Sequence, residues 1–336
     1  MSNHVNSHSI VIVGELGQDS NVSQLTSELI GLGKSLFQTP DSEVCVVFLG
    51  KGSELSAKHV ILYGADKVFL AEVPTSSDCN PEVLLGILEE LFARESPEII
   101  LFGHTTLGAD LAPRLAFSLG SGIVTDCIGV FPGVPDGLFF AKPIYGGNAS
   151  AFFSIDTSPK IATLRPRVGS IPVPDLLHKG EVIRLKSGER SSRMLNVAKV
   201  EEDAGGVKLE EAKVIVSGGR GMGSAKGFEM LSHLASILGG AVGSSRPPCE
   251  LGWIPQNSQI GITGKLVSPD IYVAVGISGS IQHLSGMSKS GKIVAINKDP
   301  EAYIFKVSNY GVVGDWNEVI PAFIEKFEEL EKSSKS

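Results

Sequence analysis

IYVAVGISGSIQHLSGMSKSGKIVAINKD (residues 271–299) encodes a strand, a glycine-rich turn, a helix, a second glycine turn and another strand. Ile271–Val275 is an apolar run with no polar alternation, as expected of a strand covered on both faces. Gly276, Ser278, Gly279 and Ser280 break it. Ile281 and Leu284 begin the apolar stripe of a short helix, Gly286 and Gly291 bracket its end, and Lys292–Asn297 reads as a second buried strand. Two parallel strands joined by a helix define an α/β unit. The turn has its own chemistry. Helix N-termini carry unpaired N–H groups and partial positive charge, and glycine lets a ligand come close to the backbone. Ser278 and Ser280 add hydroxyls, and together these groups suit a diphosphate. The plainer alternative is that Ser280 merely caps the helix. Gln282 and His283 sit in its first turn and are not needed for capping, which favours a ligand, although His283 also has a reading as a structural histidine.

Upstream, Lys213–Val216 is a strand running into Ser217–Gly223 (SGGRGMG), followed by a helix over Gly227–Leu238. A glycine-rich turn after the first strand of such a unit suggests phosphate binding, and Arg220 at its mouth can pair with a diphosphate. The alternative role for Arg220 is a surface ion pair. Ala241–Ser245 is the next strand and ends at Arg246, before a Pro247-Pro248 pair that fixes the direction of the chain. Gln259–Lys265 (QIGITGK) is a polar turn in which Thr263 offers a hydroxyl. Downstream, Tyr310–Asp315 leads into an amphipathic helix over Trp316–Leu330.

The first half has the same rhythm. Ser9–Gly14, Glu43–Leu49, Lys67–Leu70, Glu98–Phe102 and Ile123–Ile128 read as strands; Asn21–Phe37, Ser56–Tyr63, Pro81–Ala93 and Leu107–Leu119 read as helices. Gly137–Ile155 breaks the pattern and reads as an antiparallel hairpin around residues 145–148, and Lys160–Thr163 is a final strand. Gly103–Gly108 (GHTTLG) is either a nucleotide turn or an N-cap, in which Thr105 or Thr106 caps the helix and Asp110 supports its dipole; the cap is the preferred reading. The fold class is α/β, with two doubly wound parallel-sheet domains. They span residues 1–204 and 205–336, and a charged linker over residues 176–209 holds candidate edge strands at Val182–Leu185 and Met194–Val200.

Composition narrows the function. With 336 residues, 42% hydrophobic and 20% charged, the chain is globular. A formal net charge of −8 and no basic cluster interleaved with aromatics argue against a nucleic-acid binder. No apolar run reaches the about 18 residues that cross a bilayer, and the polar start MSNHVNSHS has no signal-peptide core. The expectation is a cytoplasmic protein without stable membrane insertion. Cys45, Cys79, Cys127 and Cys249 form no C-x-x-C pair, so neither zinc nor an iron–sulfur cluster is indicated. His4 and His8 are assigned no role.

VAVGISGSIQHLSGM, followed by IVAINKDPEA and preceded by SGGRG and GSSR, resembles the α subunit of electron-transfer flavoprotein. The resemblance covers nearly the whole chain. It is strongest over Val214–Asp315 and visible in TLGADLAPRLA (106–116) and ATLRPR (162–167). It implies FAD in the C-terminal, Rossmann-like domain, with Arg246 against the isoalloxazine ring, Thr263 at N5 and His283 near the C2 carbonyl. Arg220, Ser245, Ser278, Gly279, Ser280 and Gln282 would hold the diphosphate and ribityl chain, Asn297 and Asp315 the adenosine end, while Gln259 and Gly261 shape the ring pocket. A cation or a fixed imidazole donor near N1 and C2 favours the charge of the reduced ring. The family commonly has glutamine before the N5-contacting threonine; here it is Ile262, so a polar contact is missing or supplied elsewhere. The N-terminal domain would hold no flavin and would pack on a β subunit, with Arg165 and Arg167 either bridging subunits or pairing internally. The implied function is an electron carrier rather than a stand-alone catalyst, shuttling electrons between a flavin dehydrogenase of acyl-CoA type and other redox partners. Alternatives are the α subunit of an electron-bifurcating, NADH-linked flavoprotein, an NAD(P)-dependent oxidoreductase, and a nucleotide-binding regulatory module. Against the NAD(P) enzyme, Gly14–Gly17 (GELG) lacks G-x-G-x-x-G.

Overall fold

The structure is a computed structural model that describes residues 9–17, 21–36, 42–50, 54–73, 80–133, 137–147, 149–185, 192–194 and 207–334. The chain forms two compact units, Met1–Val200 and Glu201–Ser336. The candidate strand at Met194–Val200 lies almost wholly outside the described residues.

In the N-terminal unit the elements are β1 (Ser9–Gly14), α1 (Gln24–Leu36), β2 (Glu43–Leu49), α2 (Glu54–Leu62), β3 (Lys67–Ala71), α3 (Pro81–Glu95), β4 (Ile99–Gly103), α4 (Thr106–Ser118), β5 (Ile123–Cys127), β6 (Gly129–Gly133), β7 (Gly137–Ile144), β8 (Ala149–Ser154), β9 (Lys160–Leu164) and β10 (Glu181–Leu185). Seven strands make one sheet in the order β10-β3-β2-β1-β4-β9-β5, every pair parallel. Side chains alternate across it: Ile10, Ile12, Val44 and Val46 pack towards α1 and α2, while Val11, Val13, Cys45 and Val47 pack towards α3 and α4. Both faces are therefore covered, which is why the strands carry no polar alternation. The suspected strand at Val182–Leu185 is the sheet's edge strand, β10, in parallel register with β3.

The hairpin is β7 paired with β8. β6 joins it as a third antiparallel strand, although GVFPG carries no strand signal of its own; the exposed edge of β7 supplies its pairing. Phe131 pairs with Phe139 and Phe152 with Ala141, which puts the three phenylalanines on one face. All three are exposed.

The strand order reverses between β1 and β4, where such sheets hold ligands. Thr105 caps α4, accepting from the Gly108 amide at 3.1 Å, and its hydroxyl donates to Glu15 Oε1 at 2.7 Å. Burial raises the pKa of Glu15, and the Thr105 bond offsets part of that rise. Asp110 pairs with Arg114. Of the two arginines left open by the sequence, Arg165 pairs internally, meeting Asp126 through two bonds of 2.5 and 2.8 Å.

The C-terminal unit contains β11 (Val214–Gly218), α5 (Ala225–Ile237), β12 (Ala241–Ser244), α6 (Arg246–Glu250), β13 (Ile271–Val275), α7 (Ile281–Met287), β14 (Lys292–Asn297), α8 (Ile304–Val307), β15 (Tyr310–Val313) and α9 (Trp316–Ser334). Its five strands run in the order β12-β11-β13-β14-β15, all parallel. The unit is doubly wound, but in the 2-1-3-4-5 order rather than the 3-2-1-4-5-6 order of the Rossmann sheet. Val216, Val273, Val275 and Ile296 face α5 and α9; Ile215, Tyr272, Ala274 and Ala295 face α7 and α8. The reversal falls between β11 and β13, so a ligand belongs at the carboxyl ends of those two strands. No helix among the described residues is long and apolar enough to cross a membrane.

Candidate functional site

The turns after β11 and β13 are locked together by their backbones. The Gly219 amide donates to Val275 O at 2.8 Å and the Gly221 amide to Gly276 O at 3.0 Å. A Cβ at position 219 would stand 2.1 Å from Gly276 O, so only glycine fits this approach. Gly279 has φ +86°, and a Cβ there would meet the Ile304 amide nitrogen at 2.4 Å. Gly279 thus seats the turn on α8; it does not line the cleft.

Among the described residues, the amides of Ser278, Gly279 and Ser280 donate to no backbone acceptor. Ser280 occupies the N-cap position of α7, yet its side chain makes no cap bond, so its hydroxyl remains available. Capping therefore does not account for Ser280. Nor does the Ser245 hydroxyl cap α6. Pro247 and Pro248 sit in the first turn of α6, where a missing N–H is harmless, and Arg246 opens that helix rather than ending a strand.

These turns wall a cleft of about 610 Å³, within the usual range for a small-molecule site. Arg220, Ser245, Arg246, Gln259, Gly261, Thr263, Ser278, Ser280, Gln282, His283 and Asn297 all line it. Arg246 Nε is 2.7 Å from Glu250 Oε1, and its side chain is 64% exposed. Gln256 donates to Gln259 Oε1 at 2.6 Å, and Gln259 Nε2 donates to Thr263 Oγ1 at 2.9 Å. Because Thr263 accepts from Gln259, its own proton is left to donate elsewhere. Ile262 also lines the cleft and is exposed, so the atypical position presents an apolar surface.

His283 is buried in the cleft wall. Nδ1 lies 3.0 Å from Ile260 O and Nε2 lies 2.9 Å from the Tyr272 hydroxyl. A carbonyl only accepts, so Nδ1 carries the proton and Nε2 accepts from Tyr272. Burial, partly offset by the Ile260 bond, lowers its pKa to about 4. The imidazole is neutral and its one N–H is already spent, so in this geometry it is not a free donor.

Asp315 is not part of the cleft wall. It sits just before α9, where Oδ1 accepts from the Asn317 amide at 3.0 Å and its carbonyl accepts from Val319 N at 3.0 Å; the Asn317 bonds hold its carboxyl below the usual range. An Asp before an amphipathic helix is an N-cap signal; Asp299 Oδ1 accepts from the Glu301 amide at 3.0 Å in the same way. Asp299, in contrast, lines the cleft and was missed. An acidic residue about 20 positions after the glycine turn is the usual ribose partner in dinucleotide folds, and Asp299 stands at that distance from Gly279. Asn297 spans the gap, donating to Ile277 O at 2.9 Å and accepting from the Asp299 amide at 3.0 Å.

The donor set fits a flavin dinucleotide: open amides, serine hydroxyls and two guanidiniums for a diphosphate, a carboxylate for a ribose, and Pro247, Ile260, Ile262, Ile277 and Ala302 for ring surfaces. No group of three or more potential metal ligands occurs among the described residues.

Comparison with known proteins agrees. Residues 208–288 match the electron transfer flavoprotein FAD-binding domain, and residues 10–189 match the electron transfer flavoprotein domain. The chain is 42% identical to electron transfer flavoprotein subunit alpha of Bacillus subtilis (strain 168), over 96% of this chain and 98% of that protein. It is 40% identical to the subunit of the same name from Thermoanaerobacterium thermosaccharolyticum, over 93% and 96%. It is also 36% identical to Protein FixB of Clostridium saccharobutylicum, over 93% and 94%. With both halves matched and near-complete coverage of its relatives, the chain belongs to the electron transfer flavoprotein α-subunit family, whose C-terminal domain binds FAD.

Proposed function

We propose that this chain is the FAD-carrying subunit of a heterodimer with an electron-transfer flavoprotein β subunit, shuttling electrons between a flavin dehydrogenase of acyl-CoA type and other redox partners. The observation that carries the reading is the cleft between β11 and β13, with unpaired turn amides beside Arg220 and Arg246. When bound, FAD supplies the electron-accepting and electron-releasing chemistry. The protein's residues bind and tune it. Arg220, Ser245, Ser278, Ser280 and Gln282 hold the diphosphate and ribityl chain, with Gly279 shaping the turn. Asn297, Asp299 and Asp315 hold the adenosine end. Thr263, directed by Gln259, offers its proton towards N5, and Arg246 supplies positive charge beside the ring, with Gly261 and His283 completing the wall. The apolar face formed by Phe131, Phe139 and Phe152 suits a protein partner such as the β subunit. The turn after β1, Gly14–Gly17, lacks G-x-G-x-x-G, which speaks against an NAD(P) site at the reversal between β1 and β4.

Co-production with the β subunit tests the reading. The purified heterodimer should show a flavin spectrum and contain one FAD with AMP; two FAD would favour the bifurcating alternative, and a colourless complex would remove the proposal. Arg246→Ala should lower the midpoint potential. The exposed guanidinium contributes about 1 kcal/mol to a charge on the ring, or about 40 mV for one electron. A potentiometric titration that shows no drop would remove Arg246 from the ring.

A further inference from the structure

Among the described residues Tyr272 is the largest fully buried side chain, and a phenol is an unexpected choice for the middle of a buried strand. Its hydroxyl must find a partner or lose about 1–3 kcal/mol. The partner is His283 Nε2 at 2.9 Å, and the two rings meet edge to face with centroids 6.1 Å apart. On the other side of the imidazole, Ile260 O takes the Nδ1 proton at 3.0 Å. Ile260 and His283 both line the cleft; Tyr272 does not.

We propose that Tyr272 is a positioning residue for the cofactor cleft: its donated O–H, acting against the Ile260 carbonyl, locks His283 as a neutral imidazole that brings no titrating charge to the ligand. The acceptor-only carbonyl fixes the proton on Nδ1, and in the neutral ring Nε2 is then the acceptor of the Tyr272 hydroxyl. Burial raises the Tyr272 pKa, so the phenol keeps its proton. The other charged groups around the cleft are Arg246 and Glu250 on α6, Arg220 after β11 and Asp299 after β14; the low pKa of His283 arises from burial, against which the Ile260 bond works. The lock leaves the positive charge of the wall to the two guanidiniums, independent of pH. The functional consequence rests on the cleft being the FAD site; the lock itself does not.

The test is Tyr272→Phe, which keeps the ring and removes one hydroxyl. Nε2 is then a buried acceptor without a donor, and the imidazole, already on the cleft wall, turns to solvent. In ¹⁵N spectra of the full chain, the native His283 should show a protonated Nδ1 and a bare Nε2, with no titration from neutral pH down towards about 4. In the variant, which has lost the donor that favours the neutral ring, the titration should move up from about 4 towards the ordinary 6.5. A native ring protonated on Nε2, or a titration unmoved by the substitution, would overturn the proposal; a purely space-filling tyrosine predicts the latter. With FAD loaded, the variant's midpoint potential should equal the native value at alkaline pH and rise above it below pH 6.5, and a constant difference across that range would also count against the lock. Failure of either protein to bind FAD would overturn the cofactor reading and leave the imidazole spectra to decide this proposal alone.

Discussion

Ser280→Asp should leave the C-terminal unit folded and weaken FAD binding by about three orders of magnitude. Ser280 is exposed at the first position before α7, its hydroxyl makes no cap bond, and Asp is among the favoured residues there. The substitution is therefore neutral or mildly stabilising for the ligand-free fold. A diphosphate at the Ser278–Ser280 amides would instead meet a second negative charge. Two like charges about 4 Å apart, at the effective dielectric of a partly exposed site, repel by about 4 kcal/mol, which is about a thousandfold in affinity. Ser280→Ala removes one hydrogen bond and should cost about 1 kcal/mol. Equilibrium dialysis with FAD, beside thermal unfolding of the ligand-free proteins, separates binding from folding. An aspartate variant that keeps its flavin through dialysis would place the diphosphate elsewhere.

Acid should destabilise the C-terminal unit through His283. Its folded pKa of about 4 lies below the ordinary 6.5. Between those values the unfolded chain binds a proton that the folded chain refuses, so stability falls as pH falls through the window. The gap corresponds to about 3 kcal/mol. His283→Gln should be less stable at neutral pH, because Tyr272 and Ile260 lose their partner, yet its stability should be flatter over the same window by about that amount. Other groups do not mask this. Asp315, whose folded pKa is depressed, loses its contribution only as pH falls through its ordinary 3.8, beneath the window. Glu15 and Glu28 have raised pKa values and so act in the opposite sense, but they lie in the other unit. The chain's two tryptophans, Trp253 and Trp316, both pack in the C-terminal unit, so their fluorescence in urea titrations reports that unit alone. Equal slopes of stability against pH for native and variant proteins would show that His283 is not a buried neutral base.

The fold was legible because its signals are local. Unbroken apolar runs such as Ile271–Val275 mark strands covered on both faces, and glycine turns mark the crossovers. The strand order was not legible, since any doubly wound unit shows the same alternation; only pairing fixes 2-1-3-4-5. β6 was invisible because GVFPG draws its strand character from β7. In the site, residues tied to a turn motif were readable: Ser278, Ser280, Gln282 and His283 follow from one glycine-rich span. Asp299 and Asp315 were not separable on paper, since each carboxylate accepts from a backbone amide two residues on; only the fold puts Asp299 on the cleft wall. The partnership of Tyr272 with His283 was hidden because a tyrosine in an apolar strand reads as bulk, and its hydroxyl acquires meaning only when α7 lands on it.

β15 closes one side of the C-terminal sheet, and all four of its residues are exposed, among them Tyr310, Val312 and Val313. A bare apolar margin of this kind invites strand-to-strand adhesion between molecules. Expression of this polypeptide by itself should therefore give precipitation that worsens with concentration, and a lysine placed at Val312 should relieve it without touching the flavin.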